Sequence, residues 1–178
     1  MFQYERDAQR VYEAIIKRME LFGLELSKEK TRILPFGRYS GSRETFDFLG
    51  FTHFNSKTRK GYYSVGHKIS RKKKKQFKSN LKKWVKENRN TQFDEFMKIL
   101  NKKLTGSFNY YSLSGMIKEV RNLWQHSLYV TFKWLNRRSQ RRSFKLERFY
   151  EIWNDRIIHP YIHVDIWSSD KVIYNKNV

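Results

Sequence analysis

The chain has 178 residues, a formal net charge of +21, 39% hydrophobic and 17% aromatic content, and no cysteine. That apolar content can bury a core, which argues against a disordered basic tail, and the absence of Cys removes disulfides, thiolate zinc sites and cysteine nucleophiles. The surplus of charge needs a polyanionic partner, no apolar run approaches the roughly 20 residues of a membrane span, and the start MFQYERDAQR is no signal peptide. The expectation is a cytoplasmic protein with no membrane partner.

In chain order, Ala8, Val11, Ile15, Met19 and Phe22 recur at helical spacing over residues 4–22, and Gly23 supplies a stop. Leu24 to Leu26 and Thr31 to Leu34 read as two short strands around a turn at 27–29, ended by Pro35 and Gly37. After a Gly/Ser-rich loop over 38–44, the aromatic alternation of 45–54 reads as one strand, paired across a long connection with Gly61 to Val65 in a β-hairpin. Phe77, Leu81, Trp84 and Val85 then mark a helix from about Ser70 to Asn88, opposite a run of lysines. A second helix begins near Phe93, with Gly106 as its stop, and Tyr110-Tyr111 forms an aromatic joint. A third runs from about Met116 to Leu135, and Phe144, Leu146, Phe149, Ile152 and Trp153 suggest one more before Pro160.

Charge is concentrated rather than spread. The balance is +4 over residues 1–65, +18 over 66–145 and −1 over 146–178. Such a middle segment implies a surface built for phosphates; a membrane-surface helix is the weaker competitor.

Four strings carry a family resemblance: Phe22-Gly23-Leu24-Glu25-Leu26-Ser27-Lys28-Glu29-Lys30-Thr31, Phe46-Asp47-Phe48-Leu49-Gly50-Phe51, Gly106 to Tyr111, and Trp134-Leu135-Asn136-Arg137-Arg138-Ser139-Gln140. In order and spacing they resemble bacterial group II intron reverse transcriptases, the RNA-directed DNA polymerase/maturase family. The first looks like motif D of the palm, the second like motif E or the primer grip, and the last two lie in the thumb, called domain X in maturases. The resemblance implies an α+β fold: a partial palm with a primer-grip hairpin over 1–66, a basic three-helix thumb bundle over 67–142, and a short C-terminal extension over 143–178. It also implies RNA as partner, either intron RNA or an RNA/DNA primer-template.

The departure from the family concerns chemistry. The Tyr-Ala-Asp-Asp strand that would precede Met1 is absent, and Asp7, Asp47 and Asp94 form no matching adjacent pair. Two-metal phosphoryl transfer needs carboxylates that hold both ions, so Mg²⁺ is expected only for a complete polymerase and this chain alone should not polymerise. Two readings remain: a free-standing RNA-binding fragment, or one half of a split reverse transcriptase whose aspartates arrive on another chain. Self-association or a complementing N-terminal fragment is expected, and no endonuclease module is implied.

Each candidate residue has a plainer reading. Lys30 matches the motif D lysine that assists departure of pyrophosphate, or is an exposed turn lysine. Phe48, Leu49 and Gly50 match the primer grip, where glycine lets a nucleic-acid backbone approach, although Phe46, Phe48 and Phe51 could be core. Lys72, Lys73, Lys74, Lys75, Lys78 and Lys82 would meet RNA, but the run at 72–75 covers more than half a turn and cannot all face one groove. Arg137, Arg138, Arg141 and Arg142 would share one side of a helix and offer planar forks to phosphate oxygens. Tyr110 and Tyr111 could stack on bases or pack between helices. Among His53, His67, His126, His159 and His163 only the last pair has metal-ligand spacing, without a partnering motif, so no metal site is expected.

Overall fold

The structure, a computed structural model, describes residues 2, 4–27, 29–138 and 143–162. Among these the fold is α+β, with a three-stranded antiparallel sheet and five helices.

Helix α1 spans Glu5–Leu21, with Glu5 and Asp7 in its first turn and Arg18 in its last, a charge order that suits the helix dipole. It ends in a Schellman motif: Gly23 adopts φ 67° and donates to Glu20 O at 3.0 Å, while Leu24 N donates to Met19 O at 2.9 Å. The apolar stripe foreseen here exists but covers nothing, because α1 buries no residue. The two short strands expected over 24–34 are not formed. Their turn is present, with Thr31 N donating to Ser27 O at 3.0 Å, but no neighbouring strand accepts their amides, and an isolated two-stranded ribbon is marginal in water.

The expected strand over 45–54 is itself a hairpin. β1 (Thr45–Phe48) turns through Leu49 and Gly50 into β2 (Phe51–Lys57), with Phe48 opposite Phe51. Leu49 (φ 49°) and Gly50 (φ 83°) both have positive φ, as a two-residue type I′ connection requires. A five-residue connection then leads to β3 (Tyr63–Ile69), which pairs with β2 from Lys57↔Tyr63 to Phe51↔Ile69. Gly66 lies under the Phe54 ring so closely that a Cβ there would sit 2.4 Å from it.

Ser70 starts α2 (Arg71–Asn88), its hydroxyl accepting from Lys73 N at 3.4 Å. α3 (Phe93–Tyr111) does not stop at Gly106: the helix runs through it for another turn and more, so Tyr110 and Tyr111 lie in its last turn rather than in a joint. α4 covers Ile117–Leu135 and α5 Leu146–Arg156. The three-helix bundle expected from sequence has a fourth member, because Phe149 and Trp153 of α5 are wholly buried with Val85 of α2, Leu100 and Phe108 of α3, and Leu123 and Leu135 of α4. The chain after α5 folds back across the bundle, with Ile158 O accepting from Trp124 Nε1 at 3.1 Å and Ile158 N donating to Asn101 Oδ1 at 2.9 Å.

Candidate nucleic-acid interface

The hairpin turn is fastened to the helices. Leu49 O accepts from the Tyr110 hydroxyl at 2.5 Å and Gly50 O from Ser70 N at 2.9 Å. Phe51 is buried, stacked on Tyr110 at 5.6 Å and edge-on to Tyr111 at 5.7 Å. Burial, and then Tyr110, push the Tyr111 phenol above its usual pKa. The three primer-grip candidates therefore stand together at one end of α2. Phe48 and Leu49 are exposed, while a Cβ on Gly50 would lie 3.3 Å from Lys73 Cγ, so glycine lets this lysine stem cross the turn closely. Of the aromatics weighed as core, Phe51 is core, Phe46 is half-buried against His53 and Phe36, and Phe48 is not buried.

Lys72, Lys73, Lys75, Lys78 and Lys82 are exposed along α2. Lys74 is different: it is half-buried, and its Nζ lies 2.5 Å from Glu119 Oε2 on α4, so a carboxylate already occupies it. Lys75, Lys78, Lys82 and Lys86 follow i, i+3 and i+4 steps and form one stripe. The first turn of α2 contains no acid and is all basic. The helix dipole disfavours cations there, by about 0.3–1 kcal/mol each at low salt, and favours an incoming anion.

Residues 74–152, from the first turns of α2 into α5, match the family model of the group II intron, maturase-specific domain. Those residues are similar to that domain. Comparison with curated proteins and with solved structures gave no match. The hairpin lies just ahead of the matched stretch and is bound to it through Tyr110.

Elsewhere in and around the matched stretch the sequence reading fares unevenly. Arg137 and Arg138 are not on a helix face, because α4 ends at Leu135 and Asn136 caps it. Arg137 is exposed, whereas burial lowers the Arg138 guanidinium pKa and leaves its Nε without a hydrogen-bond partner. Arg141, Arg142 and His163 lie outside the described residues. Lys30 is exposed on its turn, its amide donating to Ser27 O at 3.1 Å. His53 and His67 meet on β2 and β3 with their Nδ1 atoms 2.9 Å apart, and burial, then His53, lower the pKa of His67. His126 is lowered by burial and then by Lys78, while His159 stacks on Trp124 at 5.6 Å. Among the described residues no three of His, Asp or Glu could hold a metal ion. None of the described helices is long and apolar enough to cross a membrane. Sequence reasoning missed Lys86, Arg89 and Trp134, which packing brings together where α2 and α4 end.

Proposed function

We propose that the chain grips structured RNA, of the kind a group II intron supplies, along the exposed lysine face of α2, with the Leu49–Gly50 tip set at one end to meet a strand's backbone. The bundle is then the thumb of a reverse-transcriptase-type protein and the β1–β2 turn its primer grip, serving intron RNA or an RNA/DNA primer-template. The observation that carries this reading is the cationic first turn of α2 beside an exposed hairpin tip. A helix start selected for stability alone would carry Asp or Glu. Phosphate bound there meets the lysines, the free amides of the turn and the positive end of the dipole together.

With Lys74 occupied, five of the six lysines expected to meet RNA remain exposed: Lys72, Lys73, Lys75, Lys78 and Lys82. Five neutralised phosphates give a slope of log K against log salt of about −3.5 to −4.5, with modest sequence preference. Fluorescence anisotropy of labelled duplex and hairpin RNAs across a salt series measures this. A flat slope, or no binding at low salt, would sink the proposal.

A second reading, that the chain is one half of a split polymerase, is favoured by α1. Its apolar stripe is unburied, and Leu21, Phe22 and Leu24 are 58% to 85% exposed. The complementing chain would supply fingers and aspartates, and this chain alone would extend no primer. Failure of the two chains to co-purify and to extend primer with Mg²⁺ would remove this reading and leave the first intact.

A further inference from the structure

At the opposite end of α2 from the hairpin, the ring of Trp134 collects three cations. Lys86 Nζ lies 5.7 Å from its centroid, the Arg89 guanidinium carbon 5.6 Å and that of Arg137 5.5 Å. Lys74 meets Glu119 near the start of α4 and Lys86 meets Trp134 near its end, so α2 and α4 run parallel and their C-termini arrive together. An aromatic ring attracts a cation over each of its two faces, and a third like charge adds repulsion that the ring does not relieve. None of the three has a carboxylate partner among the described residues, where the ion pairs are Lys74–Glu119, Arg148–Glu151 and Arg156–Asp94.

The cluster is also held in place. Asn136, directly before Arg137, clasps Phe144 on both sides: its Nδ2 donates to Phe144 O at 3.1 Å and its Oδ1 accepts from Phe144 N at 2.8 Å. Two planar guanidinium forks and an ammonium, fixed around one ring and lacking a counter-charge, suit a phosphate group. Holding them there in advance lowers the ordering cost of binding.

We infer that Lys86, Arg89 and Arg137, arranged around Trp134, form a second phosphate-binding site, distinct from the hairpin end of α2 and taking a phosphodiester of the bound RNA. Only the identity of that ligand rests on the RNA reading above. The 18 residues of α2 span about 27 Å, so only an RNA duplex at least that long reaches both ends.

The test uses the full chain labelled with ¹⁵N. The Trp134 indole N–H is assigned by its loss in Trp134→Phe, and inorganic pyrophosphate is titrated at constant ionic strength. A saturable shift of that resonance is expected, and its disappearance in Arg89→Gln/Arg137→Gln, whose spectrum otherwise matches wild type. No saturable shift, or the same shift in the double variant, overturns the site whether or not the chain binds RNA. With a 16-base-pair RNA duplex the double variant should flatten the salt slope by about 1.4 to 1.8. An unchanged slope overturns the assignment of the phosphate to RNA. A pyrophosphate response in a chain that binds no RNA refutes the RNA reading and leaves the phosphate site standing.

Discussion

Replacing Lys72 and Lys73 with Glu should move stability and RNA affinity in opposite directions. Both residues lie in the first turn of α2, and Ser70 caps that helix by accepting from the Lys73 amide. Lys73→Glu creates the sequence Ser-x-x-Glu, but the Ser70 amide already donates to Gly50 O, so the gain rests on the dipole rather than on a capping box. The dipole term changes sign at both positions, so about 0.3–1 kcal/mol of penalty is removed and as much is gained at each, and the pair should gain about 1–4 kcal/mol at low salt. For a chain of this size that raises Tm by about 2–16 °C. The stem that crosses Gly50 is kept in part, because the nearest atom there is Lys73 Cγ and Glu retains a Cγ. RNA binding should weaken, and loss of two phosphate contacts flattens the salt slope by about 1.4 to 1.8. Between 50 and 200 mM salt the affinity gap between wild type and variant should therefore narrow by about tenfold. Thermal melts by circular dichroism and anisotropy over that salt range read the two effects. A variant with unchanged affinity and slope would show the lysines to be solvated surface, and one with a lower Tm would refute the dipole argument.

Gly106 is exposed within α3 with open space around its Cα, so Gly106→Ala should stabilise the bundle by about 0.5–1 kcal/mol in a denaturant titration; destabilisation would mean that this turn of α3 needs glycine. Trp153→Ala should cost about 3–5 kcal/mol, since the ring is wholly buried, whereas a small loss would show that α5 is only appended to the bundle. His67 and His126 are both held below the ordinary imidazole value of 6.5, so the unfolded chain takes up protons first as pH falls. Their contribution is complete above about pH 6.5 and erodes below it toward the depressed folded values. Melts at pH 7.5 and 5.5 should show the loss, His67→Gln/His126→Gln should reduce it, and a Tm that rises on acidification would contradict the assignment.

Helical periodicity made α1 and α2 legible almost to the residue, since Gly23 and Ser70 are caps whose chemistry is local. The strands over 24–34 misled because alternation reports a pleat and says nothing of a ladder partner. The Leu49–Gly50 turn was hidden for another reason: a Leu at positive φ is a poor turn signal, and the aromatics on either side read as one continuous strand. α5 was visible as Phe149 and Trp153, but its neutral charge set it apart from a bundle it in fact completes. At the site, the lysines of α2 could be read from sequence, and the withdrawal of Lys74 to Glu119 could not. Arg137 and Arg138 fall outside a helix because Asn136 ends α4 before them, and the Trp134 cluster depends on a parallel helix pairing that no local pattern encodes.

Leu49 would be the first residue replaced by anyone optimising this sequence for its backbone. A left-handed conformation costs a branched side chain about 1–2 kcal/mol, and Asn would occupy the same turn with less penalty. Leu49 is also 67% exposed, so its own fold returns little of that cost through packing. The sequence that best fits this backbone would therefore carry Leu49→Asn and blunt the apolar tip of the hairpin.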